Sequence, residues 1–310
     1  MNYTLHQLRV FQVIAKKKSI TRASEALHLT QPAVSIQLKK LQDQFELPLT
    51  QILGRQLYLT KFGEKILEIC NDIIEKDQQI KHTTNQFKGL LTGDVTISVV
   101  STGKYVLPYF LKDFMVKYPH VDVSIQVSNR QDVIKKTMLN QNDISLVSIL
   151  PKDLKINHYE LMPNHLMLVK SKKLTKELNN KSLREIFDGQ THVLREKGSA
   201  TRKTMEAFLE KHNIKPLKTI TLVSNEAVKQ AVLANLGISI MPLIGLKNEL
   251  TNGSLKIIKT KHLPIENHWN LIHLKEKHIS IAAKTLLKMI NESKSVIINN
   301  EFDWVSRYLK

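Results

Sequence analysis

A proline next to an apolar helical pattern is the feature of this sequence that most restricts its fold. In the stretch HLTQPAVSIQLKKL, Val34, Leu38 and Leu41 recur at helical spacing, yet Pro32 lies just ahead of them. Proline breaks a helix in its interior but is tolerated in the first turn, where the N–H groups have no intrahelical partner. With Thr30 as the N-cap, Pro32 falls in that first turn. The pattern therefore predicts a helix that begins after Thr30 and buries one apolar stripe.

The residues around this helix predict a compact winged helix-turn-helix unit. Apolar residues close to helical spacing predict a first helix over residues 5–15, and a second short helix is expected from Ser19 or Thr21 to His28. After the third helix, the stretch LPLTQILGRQLYLT alternates in polarity and turns at Gly54, as a two-stranded wing would.

The polar face of the third helix carries side chains suited to reading DNA. Glutamine can form paired hydrogen bonds with adenine, an alanine methyl group can touch thymine, and serine or lysine can bind phosphate or base edges. Any solvated helix face shows such residues, so the short preceding helix, the turn and the wing are what favour DNA binding. The candidate DNA-binding residues are Thr21, Arg22, Thr30, Gln31, Pro32, Ala33, Ser35, Gln37, Lys39 and Arg55.

A long helix is predicted after the wing. Thr60 is expected to be its N-cap, and neither proline nor any glycine after Gly63 interrupts it up to about Lys88. Its apolar residues alternate in steps of four and three, which gives a narrow seam about three heptads long. The helix could pack on its own domain, but a seam that includes Asp77 and Thr84 favours pairing with another chain. The candidate dimerisation residues are Ile66, Cys70, Ile73, Ile80 and Phe87.

From Gly93 onward, strand-like runs such as DVTISVV, VDVSIQV and ISLVSIL alternate with helical stretches. The helical stretches lie near residues 104–117, 130–140, 200–212 and 225–235. This alternation predicts an α/β domain with largely parallel sheets. The segment from about Ser293 to the end of the chain shows no clear pattern.

Three places in this second part have hydroxyl-bearing residues between a strand and a helix. Ligands of open α/β sheets bind at the carboxyl ends of strands, where helix N-termini favour anions. Ordinary N-capping explains any single serine or threonine, but three such ends predict a cleft for a small anionic molecule. The candidate effector-binding residues are Ser101, Thr102, Ser148, Glu196, Ser199, Thr201, Arg202 and Ser224.

Taken together, these segments resemble the LysR-type transcriptional regulators. The matching residues are Leu8, Phe11, Ser19, Ile20, Thr21, Arg22, Ala23, Leu27, the run from Leu29 to Ser35, Leu38, Leu41, Leu57, Leu59, Thr60 and Gly63. The likeness is dense over residues 1–63 and continues to about residue 290. One departure is the run from Leu49 to Ile52, where the family usually has Leu-Phe-x-Arg. The missing arginine implies weaker contact of the wing with DNA, unless Arg55 replaces it.

The resemblance implies an all-α winged helix-turn-helix domain with a linker helix, followed by an α/β effector domain of two subdomains that resembles type 2 periplasmic binding proteins. The implied domains are residues 1–60 for DNA binding, 61–89 for the linker and dimerisation helix, 90–293 for effector binding and 294–310 for a C-terminal tail. Subdomain I would comprise residues 90–163 and 267–293, and subdomain II residues 164–266. The two crossover strands would lie near residues 160–165 and 265–269.

The function implied by the resemblance is that of a cytoplasmic transcriptional regulator. Its partners would be double-stranded promoter DNA, a small-molecule effector, further copies of itself as a dimer or dimer of dimers, and RNA polymerase. Residues 195–202 and 224–228 are similar to the subgroup that controls carbon fixation or sulfur assimilation genes. The effector would then be an anionic metabolite, which Arg202 or Lys104 would help to neutralise. Closure of the cleft would shift the DNA-binding pairs.

The alternatives are an enzyme and a solute-binding α/β protein, either with an accessory nucleic-acid-binding domain. The sequence has no G-x-S-x-G, G-x-G-x-x-G, G-x-x-x-x-G-K-[ST] or H-E-x-x-H motif, and its 12 His residues show no ligand spacing. We therefore expect no catalytic residues, no cofactor and no metal. The first residues do not resemble a signal peptide, no run of about 18 apolar residues predicts a membrane span, and the single cysteine fits a reducing cytoplasm.

The charge of the chain is weaker support for a nucleic acid partner. The net charge is +18, but residues 1–90 hold 13 Lys and Arg against 8 Asp and Glu, a net of +5. Lysine also greatly outnumbers arginine, which could reflect the composition of the coding DNA.

Overall fold

The computed structural model describes residues 2–53, 56–87, 90–179 and 181–309, with side chains described for all of these except 78, 79 and 81–87. Contacts divide the chain into an N-terminal unit, Met1–Leu90, and a C-terminal unit, Leu91–Lys310. We describe each unit by itself.

The N-terminal unit contains three short helices, a two-stranded wing and a long helix. Its elements are α1 (Leu5–Lys17), α2 (Ile20–Leu27), α3 (Gln31–Gln42), β1 (Thr50–Leu53), β2 (Gln56–Leu59) and α4 (Lys61–Phe87). Hydroxyl side chains cap the three short helices: Thr4 accepts a hydrogen bond from the Gln7 N–H, Ser19 from that of Arg22, and Thr30 from that of Ala33. The predicted start of α3 at Thr30, with proline in its first turn, is confirmed.

A close backbone contact joins the wing to α4. The Thr60 hydroxyl donates to the Pro48 carbonyl at 2.6 Å and accepts from the Gly63 N–H at 2.9 Å, which confirms Thr60 as the N-cap. A Cβ atom at Gly63 would lie 1.9 Å from the Leu49 carbonyl oxygen, so only glycine fits there. β1 and β2 pair antiparallel as predicted, while Gly54 and Arg55 lie outside the described residues.

Part of the predicted seam of α4 packs within its own unit, and its role in dimerisation stays a prediction. Cys70 is 2% exposed and belongs to the core formed with α1, and Ile66 and Ile73 pack against that core. Arg9 of α1 forms an ion pair with Asp77 of α4. These residues therefore hold α4 to its own unit, and burial raises the pKa of the Cys70 thiol. Ile80 is 68% exposed, and the side chain of Phe87 lies outside the described set.

The C-terminal unit is a mixed α/β structure. Its strands are β3 (Gly93–Val100), β4 (Val121–Ser128), β5 (Ile144–Val147), β6 (Ile156–Ser171), β7 (Thr191–Arg195), β8 (Lys218–Leu222), β9 (Ser239–Pro242), β10 (Leu255–Ile257) and β11 (Ile265–Leu274). Its helices are α5 (Leu107–Lys117), α6 (Arg130–Met138), α7 (Leu183–Asp188), α8 (Ala200–Lys211), α9 (Asn225–Leu233), α10 (Lys247–Thr251) and α11 (Ile281–Glu301), with short 3-10 turns at Gly103–Tyr105, Leu243–Gly245 and Asp303–Tyr308.

The sheets are less parallel than predicted. β3 runs parallel to both β4 and β5, and β7 runs parallel to β8 in a second sheet. β11 is antiparallel to β5 and β6, and β6 is also antiparallel to β9 and β10. The reason is that the two long strands β6 and β11 carry the chain between two lobes in opposite directions.

Each lobe has its own apolar core. We call lobe I the part built from β3 to β5, α5, α6 and α11, and lobe II the part built from α7 to α10 and β7 to β10. The core of lobe I includes the fully buried Trp269 of β11, whereas lobe II contains two clusters on the faces of its strands. The residues predicted to form a tail pack against both lobes, with Phe302 only 4% exposed, so they are part of this unit.

A buried histidine in lobe II makes the stability of that lobe depend on pH. His192 is 1% exposed, its ring stacks on that of Phe187 at 4.3 Å, and its Nε2 lies 3.1 Å from the Phe187 carbonyl oxygen. Burial lowers the pKa of His192 to about 4. Because the unfolded chain binds this proton more readily, the contribution is complete above about pH 6.5 and is lost as the pH falls towards 4.

We predict that the C-terminal unit loses about 2 kcal/mol of unfolding free energy between pH 6.5 and 5 through His192. Both tryptophans, Trp269 and Trp304, lie in this unit, so urea unfolding followed by tryptophan fluorescence measures it selectively. His192→Gln should reduce the pH dependence by that amount. An identical pH dependence in the wild type and the variant would contradict the prediction.

Candidate functional site

The exposed face of α3 lies opposite the stripe formed by its buried residues, Val34, Leu38 and Leu41. Among the residues predicted to bind DNA, Gln31, Pro32 and Lys39 are exposed, and Ala33, Ser35 and Gln37 are half-buried. Thr21 and Arg22 are exposed on α2. The Thr30 hydroxyl serves as the helix cap, and Arg55 lies outside the described residues.

The start of α3 is linked to α2 through the side chains of Thr21 and Gln31. The Thr21 hydroxyl donates to Gln31 Oε1 at 3.5 Å, which orients the amide at the first position of the helix. An amide held in this way can present both a donor and an acceptor to a base edge.

Ile36 is a candidate contact that the sequence reasoning missed. It follows Val34 by two residues, so the helical rotation of about 100° per residue places it opposite the buried stripe. Its side chain is 53% exposed, at the centre of the outward face. An exposed apolar side chain beside Ala33 suits the methyl group of thymine. The spacing from Val34 was a signal that could have identified it.

A second candidate site lies where strands from both lobes end. The Arg195 guanidinium, at the end of β7, donates from Nη2 to the Ser101 hydroxyl at 3.1 Å, and Ser101 follows β3. The Gln131 N–H at the start of α6 donates to the Gly198 carbonyl at 3.2 Å. These bonds bring the carboxyl ends of β3, β4 and β7 to one cleft, which we call the interlobe cleft.

Most of the residues predicted to bind the effector lie around this cleft. Thr102, Ser148, Ser199 and Thr201 are buried, and Ser101 is half-buried. β8 pairs beside β7, and this places Ser224 at the same end of the sheet as Arg195. Ser199 and Ser224 accept hydrogen bonds from the first turns of α8 and α9, so ordinary N-capping accounts for these two hydroxyls.

Arg195 is the central charged group of the cleft, and sequence reasoning missed it as a site residue. It is 3% exposed, and its Nε and Nη2 each donate to the Glu196 carboxylate at 2.8 Å. This paired geometry is the one in which a guanidinium recognises a carboxylate or a phosphate. Glu196, which was predicted, therefore faces Arg195.

Arg130 is a second guanidinium that sequence reasoning missed. It is half-buried at the start of α6, where its Nε lies 3.4 Å from the Ile149 carbonyl oxygen. Burial lowers the pKa of its guanidinium. A half-buried cation without a counter-ion is costly, and an anion bound beside it would relieve that cost.

The role expected of Arg202 stays a prediction, and its side chain already has two partners. Its Nε donates to Glu206 at 2.6 Å and its Nη1 to the Arg195 carbonyl at 3.1 Å, so its charge is already neutralised. Lys104 is exposed, and its ammonium lies over the Tyr105 ring at 5.0 Å. Arg195 and Arg130 are held by contacts to Ser101 and to the Ile149 carbonyl, respectively.

Two buried polar side chains at the strand ends have no hydrogen-bond partner among the described residues. Asn225, the first residue of α9, is 5% exposed, and both of its amide atoms are without a partner. The Ser128 hydroxyl at the end of β4 is in the same condition. Buried polar groups are normally satisfied, so these positions suit a polar ligand.

Two further grooves lie on the C-terminal unit. One of about 810 Å³ runs along α8 and β8 in lobe II, and Arg202 and Leu217 line it. The other, of about 580 Å³, lies between Ile149, α8 and the start of β11. Neither is lined by Ser101, Arg195 or Ser224, but the second includes Ile149, whose carbonyl oxygen accepts a hydrogen bond from Arg130.

Comparison with known family models covers both units of the chain. The family model for the LysR substrate binding domain matches residues 88–295, and that for the bacterial regulatory helix-turn-helix protein of the lysR family matches residues 5–64. The chain belongs to the LysR family. Family membership and the two-subdomain effector fold are therefore confirmed.

The LysR relatives are regulators linked to carbon metabolism. The chain is 35% identical to the HTH-type transcriptional activator CmpR of Synechocystis sp., covering 92% of this chain and 94% of CmpR. It is 32% identical to the RuBisCO operon transcriptional regulator of Acidithiobacillus ferrooxidans, covering 93% of each chain. Of the two subgroups expected, these relatives support carbon fixation. This LysR protein is thus a transcriptional regulator and not an enzyme.

One of the solved structures that this chain matches was determined with a bound ligand. The regulatory domain of CcmR from Synechocystis, solved in complex with 2-PG, matches with a TM-score of 0.60 and 26% identity, covering 66% of this chain and 98% of that domain. Within the described part of the LysR chain, no helix is long and apolar enough to cross a membrane. In the same residues, no group of three or more His, Cys, Asp or Glu is placed to hold a metal ion.

We predict that Gln31→Ala combined with Ser35→Ala lowers the preference for specific DNA over random DNA by about tenfold or more, since base contacts typically contribute 1–3 kcal/mol each. Gel-shift titrations at one salt concentration would compare the region upstream of the protein's gene with random DNA. Asp72→Asn, at an exposed position of α4, is the control. Equal losses of affinity for both DNAs would argue against base reading by α3.

Proposed function

We propose that this regulator binds promoter DNA through the exposed face of α3 and is controlled by a small anionic metabolite in the interlobe cleft. The observation that carries the second part is the pair of guanidinium groups, Arg195 and Arg130, held at the strand ends. Phosphate and carboxylate are the groups that such paired N–H donors recognise best.

The two guanidinium groups have different roles in this proposal. Arg130 is half-buried next to the Ile149 carbonyl, so in this proposal it supplies a charge that a bound anion would neutralise. Arg195 already donates two hydrogen bonds to Glu196, so an incoming anion has to compete with that carboxylate. A ligand with more than one negative charge can pair one anionic group with Arg130 and then compete with Glu196 for Arg195. Asn225 and Ser128 would hydrogen-bond its remaining oxygens.

The ligand class follows from this arrangement. A compact molecule that carries a phosphate and a carboxylate would place one anionic group near each arginine. The complex of the CcmR domain with 2-PG is consistent with this class, and 2-phosphoglycolate is accordingly the first compound to test. We further propose that Ser101, Thr102, Ser148, Ser199, Thr201 and Ser224 shape the cleft around it.

The DNA-binding half of the proposal rests on the geometry of the N-terminal unit. Gln31, Ser35 and Lys39 would contact bases or phosphates, Ile36 would add an apolar contact, and the wing would lie against the backbone. We also propose that the protein acts in the cytoplasm as a dimer or dimer of dimers and that its output is a change in contact with RNA polymerase. The domain limits at residues 60, 89 and 293 remain predictions.

We predict that Arg130→Gln weakens the binding of 2-phosphoglycolate by about tenfold or more, since a charge-assisted hydrogen bond typically contributes 1.5–3 kcal/mol. Arg195→Gln should have at least the same effect. Isothermal titration calorimetry on the full chain would measure the dissociation constants, with glycolate and inorganic phosphate as partial ligands. The control is Arg184→Gln, because Arg184 lies on α7 with its side chain 84% exposed. Unchanged affinity in both cleft variants would exclude this site.

We predict the opposite effect for Glu196→Gln. The amide keeps the size of the side chain but removes the charge that competes for Arg195, so the affinity for 2-phosphoglycolate should rise several-fold. The same titrations would measure it, and Glu206→Gln, which removes the partner of Arg202, is a matched carboxylate control. Weaker binding by Glu196→Gln would show that Glu196 itself contacts the ligand.

A further inference from the structure

The last described residues of the chain form a band across the two lobes. We call residues 297–309 the C-terminal strap; it comprises the end of α11 and the 3-10 turn Asp303–Tyr308. In lobe I, Ile297 and Phe302 are 8% and 4% exposed. The Phe302 ring lies 5.2 Å from that of Tyr109 and 6.1 Å from that of Phe110, both in α5. This end of the strap is part of the core of lobe I.

The other end of the strap packs on lobe II. Tyr308 and Leu309 contact the apolar cluster that includes Leu246 and Leu250, next to α10. The ammonium of Lys247 lies 5.6 Å from the centre of the Trp304 ring, within the range of a cation–π contact.

The middle of the strap contacts both lobes at once. Trp304 and Val305 are partly buried, and each packs against the core of lobe I and the cluster of lobe II. The strap therefore links the lobes separately from the crossover strands β6 and β11. The model for the family's substrate binding domain ends at residue 295, so the strap lies beyond the region that this model covers.

We infer that the C-terminal strap is an interlobe clamp, which holds the lobes in the arrangement where Arg195 reaches Ser101 and Gln131 reaches Gly198. Lobe separation would require Trp304 and Val305 to lose apolar contacts on one side. The strap thus sets the population of the closed arrangement on which any ligand of the cleft acts. The clamp itself does not depend on the identity of that ligand.

The hydrogen bond from the Gln131 N–H to the Gly198 carbonyl provides a direct probe of the clamp, because it joins the two lobes. Hydrogen exchange of the full chain, followed by mass spectrometry, would compare the wild type with Trp304→Ala/Tyr308→Ala. We expect the peptide that contains Gln131 to exchange at least about fivefold faster in the variant. Peptides from β3 and β7, inside the lobes, should keep their wild-type exchange rates.

Two further variants keep the test decisive. Arg307→Ala is the matched control, because Arg307 is exposed on the same 3-10 turn and should leave the exchange of Gln131 unchanged. Lys247→Ala removes the cation–π contact without creating a cavity in the strap, and it should accelerate the same exchange to a smaller degree. This single variant tests whether the strap restrains separation of the lobes even if the double variant fails to fold.

Two outcomes would overturn the clamp. Unchanged exchange at Gln131 in a folded double variant would show that the strap only covers surface, and uniform acceleration across both lobes would show general destabilisation. A titration with 2-phosphoglycolate then tests the consequence for the cleft: we expect about threefold to tenfold weaker binding by the folded variant. Failure of the wild type to bind this compound would refute the proposed ligand class and leave the exchange result intact.

Discussion

The pairing of β6 with β11 is the constraint on which the C-terminal unit depends. The two strands stay in antiparallel register from the pair Ile265 and Leu166 to the pair Leu274 and Ile156, with an irregularity between Trp269 and Asn270. Such an irregularity bends a strand pair locally. These strands carry the chain between the lobes, and each lobe forms its own core on either side of them. The ends of β3, β4 and β7 then meet at the gap, through the bonds from Arg195 to Ser101 and from Gln131 to Gly198.

Local rules made part of this structure predictable from the sequence. The start of α3 depends on the chemistry of Thr30 and Pro32, and the start of α4 depends on the hydroxyl of Thr60, so neighbours along the chain decide both. The strand and helix alternation after Gly93 likewise gave the α/β class. Long-range pairing was not accessible in this way. The expectation of largely parallel sheets did not hold for β6, β9, β10 and β11, because their direction depends on crossovers that the periodicity of the sequence does not show.

The contacts of Cys70 and of the last residues of the chain show what the apolar pattern of a sequence leaves open. A narrow apolar seam fits either another chain or a neighbouring helix, and α1 provides that neighbour for Cys70. The chain after α11 forms a short 3-10 turn, which has neither the α-helical nor the strand period. The apolar residues Phe302, Trp304, Val305 and Tyr308 therefore show no regular spacing in the sequence. Arg130 and Arg195 were missed because one arginine among 46 basic residues is informative only when its burial and its partner are known.

The contacts between the lobes fall into two physical kinds. At the strand ends they are polar: Arg195 with Ser101, Gln131 with Gly198, and Tyr105, whose hydroxyl lies 3.4 Å from Glu226. Burial raises the pKa of Tyr105, so this phenol stays protonated and can donate to the carboxylate. At the strap they are apolar.

These two kinds of contact respond differently to a charged ligand. A ligand can replace a polar hydrogen bond with one of comparable strength, but it offers nothing in exchange for apolar surface that separation of the lobes would expose to water. An anion in the cleft would therefore act mainly on the polar set, by redistributing the bonds of Arg195. The apolar set would supply a nearly constant bias towards closure. The polar residues at the strand ends thus determine the response to the ligand, and the apolar residues of the C-terminal strap determine the resistance to opening. A substitution in one set can change its property without changing the other.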